Sequence, residues 1–150
     1  LRRDDVDLVV VGPDGWGEDL RALAGAVPRE RVRLLGFVPA DDLPGLYGGA
    51  AAFCYPSLLE GFGLPVLEAM AQGAPVVTSA GTSTAEVAGD AARLVEPTDH
   101  DAVAAALAEL LDDPGAARRL GDAARARAET FTWDRTAALV AAALHEVVDR

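Results

Sequence analysis

The sequence is poor in residues on which several classes of protein depend. It has a single cysteine, Cys54, among its 150 residues, which excludes a disulfide framework and leaves no Cys/His spacing typical of a metal site. Cys54 lies within the apolar run AAAFCYPS, where a buried structural thiol is the expected role. This cysteine usage suits a reducing compartment, and we predict a cytoplasmic protein.

Positive charge is also scarce. The 13 basic residues face 24 acidic ones, and the net charge of −11 has the wrong sign for a protein that holds a nucleic-acid backbone. No apolar run reaches the length of a membrane-spanning helix, and the first residues, LRRDDVD, do not resemble a signal peptide. The sequence therefore predicts a soluble chain without a nucleic-acid partner.

The length fits one ordinary domain, and we predict a single domain over residues 1–150. The chain enters a strand-like segment almost at once and has no initiating methionine, so we expect it to be a piece of a longer protein. Its high usage of Ala, Arg, Gly and Asp suggests a bacterial source.

Short apolar segments alternate with helical patterns, which is typical of parallel α/β proteins. Strands are predicted at residues 7–12, 32–35, 51–55, 75–78 and 93–95, and helices at 16–26, 41–48, 64–73 and 84–88. The strands are apolar throughout, so helices should cover both faces of the sheet. We predict a Rossmann-like, doubly wound parallel sheet.

Three further helices are predicted after the last strand. The first begins at an Asp99 cap and runs to residue 111, the second covers residues 116–129, and the third begins at a Thr132 cap and runs to the end. The sequence DDPG separates the first two. Trp133, at the start of the third, is expected to anchor packing. Ser83 and Glu86 have the spacing of a capping box before residues 84–88.

The segment EGFGLPVLEAM, residues 60–70, combines turn residues with a helix. Pro65 suits the first turn of a helix, so a helix should begin near Leu64 and the preceding Gly-Phe-Gly should form a loop. Glycines allow a ligand to approach the backbone, and the positive end of the helix dipole favours anions such as phosphate.

Two glutamates flank this loop. Glu60 is placed at the carboxyl end of a strand, where open α/β sheets bind ligands, although a solvated loop carboxylate is equally compatible with its position. Glu68 falls within the helix among apolar neighbours, where an unpaired carboxylate is costly unless donors meet it. Sugar hydroxyls are suitable donors. On chemistry alone, a ligand-binding role and a structural role both stay open.

Residues 56–97, PSLLEGFGLPVLEAMAQGAPVVTSAGTSTAEVAGDAARLVEP, closely resemble the core of the C-terminal domain of retaining GT-B glycosyltransferases of the group 1 type, family 4. Glu60 and Glu68 match that family's E-x7-E motif. The segments LVVVGPDG and FTWDRTA also fit, so that the resemblance extends over nearly the whole chain. It implies the C-terminal half of a GT-B fold.

The resemblance implies a role for each matching residue. Glu68 would bind the ribose hydroxyls of a nucleotide-sugar donor, and Glu60 would face the transferred sugar and serve catalysis by positioning it and stabilising the transition state. The remaining donor-binding residues would be Gly61, Phe62, Gly63 and Leu64 at the sugar and diphosphate, Phe37 and Val38 at the nucleobase, and Gly12 and Pro13 along the cleft.

By the same resemblance, the parent protein would move a hexose from a UDP- or GDP-linked donor to a hydroxyl acceptor with retention, needing neither cofactor nor metal. The family's first strand and helix, whose Arg and Lys neutralise the diphosphate, do not match this chain, nor does the N-terminal acceptor domain. We expect the chain to be inactive alone. Any membrane contact, at the inner face, would belong to the unmatched half.

Two alternatives stay open. One is a different GT-B enzyme, such as a sugar-nucleotide epimerase or a phosphorylase. The other is a non-catalytic module that binds nucleotide or a protein partner.

Overall fold

The structure is a computed structural model that describes residue 3, residues 5–13 and residues 31–148. The helix predicted at residues 16–26 lies outside the described residues. The chain divides into two compact units, Leu1–Gly45 and Leu46–Arg150, and each is described by itself. The prediction of a single domain stays a prediction.

The first unit contains two parallel strands. Strand β1, Leu8–Val11, pairs with β2, Val32–Gly36, and the register shifts between Val10 and Val11. Beyond β1, the amide of Gly12 donates to the carbonyl oxygen of Gly36 at 2.9 Å. The segments that follow the two strands therefore leave the sheet at the same edge.

The second unit is built on a three-stranded parallel sheet. Its strands are β3, Phe53–Tyr55, β4, Val76–Ser79, and β5, Arg93–Val95, in the order β3-β4-β5. Residue Phe53 lies opposite Val76, and Val77 lies opposite Arg93. All the described strand pairs are parallel, which confirms the α/β class predicted from the alternating pattern.

Six helices are described. They are α1, Leu43–Gly48, α2, Leu64–Ala71, α3, Ser83–Ala88, α4, His100–Asp112, α5, Pro114–Ala128, and α6, Trp133–Val148. The predicted caps are confirmed for α4, where the Asp99 carboxylate accepts from the amide of Ala102, and for α6, where Thr132 Oγ1 accepts from the amide of Arg135. Helix α5 begins at Pro114, two residues before its predicted start, because proline is well suited to a first helical turn.

The core of the second unit lies on both sides of β4, whose residues are all buried. Val76 faces a cluster formed with α2, α3 and α5, whereas Val77 faces a cluster formed with α4 and another part of α5. Successive residues of a strand point to opposite faces, so two separate clusters mean two covered faces. This confirms for β4 the expectation that both faces of the strand are covered by helices.

Helix α6 is exposed along its whole described length. Its apolar side chains recur at helical spacing, yet Trp133 is 87% exposed. The prediction that Trp133 anchors packing is therefore wrong for the described chain, because its indole, at the first position of α6, faces solvent.

Candidate functional site

The loop before α2 is held in one conformation by Gly63. This residue caps the helix with φ 97° and ψ 45°, in the left-handed region, and its carbonyl oxygen accepts from the amides of Val66 and Leu67. A Cβ atom at Gly63 would lie 2.7 Å from Thr84 Cγ2. Glycine is therefore required here both for the backbone angle and for close packing against α3. The helix begins at Leu64, as predicted.

The amides of this loop are available to a ligand. In the part of the chain that the structure describes, the N–H groups of Phe62, Gly63 and Leu64 donate to no protein acceptor. Such groups at the first turn of a helix form a natural site for an anion. Phe62 itself is anchored, because its ring meets the ring of Phe131 edge-on at a centroid distance of 6.1 Å.

Glu60 is half-buried and is held through one carboxylate oxygen. Its Oε1 accepts from Tyr55 Oη at 2.7 Å and from Ser57 Oγ at 3.1 Å, while its backbone carbonyl accepts from Ser83 Oγ at 2.9 Å. The amide of Ser57 donates to Ser79 Oγ at 2.7 Å. Hydroxyls at the carboxyl ends of β3 and β4 therefore fix this glutamate at the edge of the sheet where α/β proteins bind ligands.

Glu68 is held in a similar way by a different hydroxyl. Tyr47 Oη, on α1, donates to Glu68 Oε2 at 3.0 Å. Glu68 is exposed, so its carboxylate is solvated and is not made costly by its apolar sequence neighbours, contrary to the prediction. The buried residues Val66, Ala69 and Met70 form one stripe of α2, and Glu68 projects away from that stripe.

The two tyrosines escaped the sequence analysis, although they are the only tyrosines in the chain. Burial, followed by the hydrogen bond to Glu68, raises the pKa of Tyr47 to about 12. For Tyr55 the hydrogen bond to Glu60 is the main cause, and its pKa is also raised to about 12. A motif search does not reveal such partners, because Tyr47 and Tyr55 lie outside the E-x7-E motif and have no characteristic pattern of their own.

A cleft of about 430 Å³ lies beside Glu60. Its lining residues are Leu58, Leu59, Glu60, Gly81, Thr82, Ser83, Ala85 and Glu86. The predicted capping box of Ser83 and Glu86 is not formed, because the cap of α3 is Thr82 and the Ser83 hydroxyl instead donates to the backbone of Glu60. Glu86 is among the residues that line the cleft.

The four remaining predicted residues lie in the first unit. Gly12 and Pro13 follow β1, and Phe37 and Val38 follow β2. The parallel pairing brings both segments to one edge of the small sheet, and Phe37 is 88% exposed there. The structure thus gathers these four residues at one edge and, within the second unit, gathers Glu60 and the amide loop.

Two negative findings apply to the described residues only. No three of their His, Cys, Asp or Glu side chains are grouped so that they would hold a metal ion. None of their helices combines the length and the apolar character needed to cross a membrane.

Comparison with known proteins gives a consistent result. The sequence model for glycosyl transferases group 1 matches residues 1–127. O-antigen chain mannosyltransferase B of Escherichia coli is 44% identical over 129 residues, which cover 85% of this chain and 34% of that protein. MMP alpha-(1->4)-mannosyltransferase of Mycolicibacterium hassiacum is 40% identical over 153 residues, which cover 97% of this chain and 37% of that protein. The chain spans little more than a third of the length of these relatives.

Solved structures agree with the sequence comparison. Sucrose-phosphate synthase (tll1590) of Thermosynechococcus elongatus superposes with a TM-score of 0.78 at 31% identity, over 95% of this chain and 39% of that one. Anabaena Alr3699/HepE, solved in complex with UDP-glucose, superposes with a TM-score of 0.74 at 25% identity, over 85% of this chain and 37% of that one. These likenesses confirm the predicted α/β fold of the GT-B type.

Proposed function

Because the chain belongs to the glycosyl transferases group 1 family, we propose that it is the donor-binding part of a retaining glycosyltransferase. The donor is a UDP- or GDP-linked hexose, and the acceptor is a hydroxyl group bound elsewhere in the protein. Neither a cofactor nor a metal takes part. The observation that carries this proposal is the row of free amides at Phe62, Gly63 and Leu64, between two glutamates that each keep one carboxylate oxygen without a protein donor in the described chain.

The amides and the two carboxylates suit different parts of the donor. A diphosphate is an anion and fits the helix start, whereas sugar hydroxyls are donors and fit carboxylate oxygens. Glu68 Oε1 is assigned to the ribose and Glu60 Oε2 to the transferred hexose, with Gly61 giving the loop room to approach it. By the resemblance, Phe37 and Val38 are assigned to the nucleobase, and Gly12 and Pro13 are kept as further donor-binding residues.

Glu60 acts in this scheme by position and by charge. Its Oε1 is fixed by two hydroxyls, so its carboxylate is pre-organised before the donor binds. A fixed negative charge beside the hexose stabilises the positive charge that develops on the sugar as the diphosphate departs. No general base is assigned.

The chain alone is proposed to be inactive. The departing diphosphate accumulates negative charge, and amides stabilise it only in part. The sequence contains no lysine, so an arginine–lysine pair cannot come from these residues. A cytoplasmic location is likewise proposed, with any membrane contact made through other parts of the protein.

Calorimetry with UDP, GDP and their sugars tests the donor site. The full-length gene product should bind one nucleotide and its sugar. Glu68→Gln should weaken both, because an amide accepts less well than a carboxylate, by about tenfold. The matched control is Glu129→Gln on the exposed end of α5, which should bind as the original protein does.

Three results would count against the proposal in different ways. Absence of binding at millimolar ligand, in this chain and in the full-length gene product, would overturn the donor site. Binding without sugar transfer to any hydroxyl acceptor would favour the alternative of a non-catalytic nucleotide-binding module. Interconversion of the free sugar nucleotide would instead indicate an epimerase.

A further inference from the structure

Each glutamate of the donor site is held by its own tyrosine. Tyr55 Oη donates to Glu60 Oε1 at 2.7 Å, and Tyr47 Oη donates to Glu68 Oε2 at 3.0 Å. No arginine of the described residues forms an ion pair with either carboxylate. The phenol hydroxyls are therefore the groups that orient these carboxylates, together with Ser57 at Glu60.

The rings that carry these hydroxyls are fixed by packing. The ring of Phe53 stacks on that of Tyr55, with centroids 6.1 Å apart and planes at 14°, and it meets the ring of Tyr47 edge-on at 5.3 Å. Phe53 and Tyr55 share one face of β3, and all three rings pack against the buried cluster around Val76. The positions of both hydroxyls are thus set by the packing of their rings on Phe53 and on the buried cluster.

The hydroxyls also keep their protons. Burial and then the hydrogen bond to Glu68 raise the pKa of Tyr47 to about 12, and the hydrogen bond to Glu60 and then burial raise the pKa of Tyr55 to about 12. Each phenol therefore remains a donor at neutral pH. A tyrosine hydroxyl has one proton to donate, and that proton is engaged by the glutamate. The phenols therefore orient carboxylates, and the carboxylates remain free to accept from a ligand.

We infer that Tyr47 and Tyr55 are positioning residues, which act through Glu68 and Glu60 on separate parts of the donor. This inference rests on the proposed function. Each phenol occupies one carboxylate oxygen and so directs the other, Oε1 of Glu68 and Oε2 of Glu60, towards ligand hydroxyls. Tyr47 then governs recognition of the ribose, which every nucleoside diphosphate carries. Tyr55 governs recognition of the hexose, which only the nucleotide sugar carries.

The experiment compares two ligands in two variants of the full-length gene product. Tyr47→Phe and Tyr55→Phe each remove one hydroxyl and keep the ring that packs on Phe53. Calorimetry measures the Kd of the nucleoside diphosphate and the Kd of its hexose derivative. The matched control is Thr98→Val, which removes an exposed hydroxyl-to-carboxylate hydrogen bond of 3.0 Å, from Thr98 Oγ1 to Glu96 Oε1, between two residues that are not assigned to the donor.

The expected result is a split between the ligands. Tyr55→Phe should weaken binding of the nucleotide sugar by about three- to tenfold and leave the nucleoside diphosphate unchanged, in keeping with the loss of one hydrogen bond. Tyr47→Phe should weaken both ligands to the same extent, and Thr98→Val should change neither. A purely structural role would weaken both ligands equally in both variants.

The outcomes separate this inference from the proposed function. If the unaltered protein binds the nucleotide and its sugar but the tyrosine variants bind them equally well, or show no split, the inference is overturned and the donor site stands. If the unaltered protein binds neither ligand, both fail.

A spectroscopic titration gives an independent readout in the 150-residue chain. Because the chain has two tyrosines, its tyrosinate absorbance reports on these residues alone. In Tyr47→Phe the single remaining transition belongs to Tyr55, and it should lie near pH 12. Adding Glu60→Gln should lower that midpoint, because the charged acceptor is lost. An unchanged midpoint would show that Tyr55 does not hold Glu60 in solution and would overturn the inference for this pair.

Discussion

The ring of Phe62 meets the ring of Phe131 at an angle of 85°, with centroids 6.1 Å apart. Phe62 belongs to the loop whose amides are proposed to hold the donor diphosphate, and Phe131 follows α5, far along the chain. The guanidinium of Arg127 lies 5.5 Å from the centroid of Phe131 and fixes that ring in turn. The shape of the amide loop therefore depends on a residue outside the motif.

Replacing Phe131 should loosen the loop and weaken the binding of donor. Phe131→Ala removes the edge-on contact and part of the buried cluster, and we expect the free energy of unfolding to fall by about 1–2 kcal/mol. The affinity for nucleoside diphosphate should fall as well, because the amides lose their fixed direction. Urea unfolding and calorimetry measure the two effects.

Trp133 offers the control for this change. It is an aromatic residue two positions further on, but it is 87% exposed. Trp133→Ala should alter neither the unfolding free energy nor the affinity of the second unit for nucleotide. Equal losses in the two variants would contradict the proposed support of Phe62 by Phe131.

Gly63→Ala should destabilise the chain for two separable reasons. The left-handed backbone at φ 97° costs an alanine about 1–3 kcal/mol, and the new Cβ would collide with Thr84 Cγ2. Thr84→Ser removes the colliding methyl group and keeps a hydroxyl. The double variant Gly63→Ala, Thr84→Ser should therefore recover the stability lost to the collision. It should not recover the stability lost to the strained backbone. A double-mutant cycle with urea unfolding measures the two contributions.

Arg127 should matter to stability more than its place on a surface helix implies. Its Nε donates to the carbonyl oxygen of Val87 at 2.8 Å and its Nη2 to that of Glu86 at 2.6 Å, so it caps the end of α3. Arg127→Lys keeps the charge but loses the planar guanidinium, whose two nitrogens reach the two carbonyls. The free energy of unfolding should fall by about 1–2 kcal/mol. Arg118→Lys, on the exposed face of the same helix, is the control and should cost nothing measurable in thermal unfolding.

The sequence predicted local features well, because each has a local cause. The start of α2 at Leu64 follows from Pro65, and the caps of α4 and α6 follow from Asp99 and Thr132. The burial of Val76 and Val77 follows from the apolar residues that open β4. Such features depend on a few neighbouring residues and need no knowledge of the tertiary structure.

The features that the sequence predicted wrongly or did not reveal depend on contacts between residues that are distant in the sequence. Ser83 has the spacing of a helix cap, but its hydroxyl donates a hydrogen bond to the backbone carbonyl of Glu60 instead. Glu68 has apolar neighbours in sequence, but the helix turns it to the outside. Tyr47 and Tyr55 reach the two glutamates only once α1 and β3 are in place. The E-x7-E pair could therefore be identified from its motif, whereas the side chains that orient it could be identified only from the tertiary structure.

Stability at alkaline pH should depend on the same two tyrosines. Their pKa is about 12 in the folded chain against an ordinary value of 10, so the unfolded chain releases these protons first. The stability that the pair contributes is complete below pH 10 and is lost as the pH rises from 10 to 12. Few other groups interfere, because the sequence contains no lysine.

Cys54 has to be removed from this measurement, since burial raises the pKa of its thiol and gives a loss of the same sign from pH 9 upwards. In a Cys54→Ala background, the free energy of unfolding in urea should therefore stay level up to pH 10 and then decline. The same chain carrying Tyr47→Phe and Tyr55→Phe should show no such decline, because no phenol is left to titrate. A decline of equal slope in both proteins would show that the two phenols do not cause it, and therefore that their pKa is not raised in the folded chain.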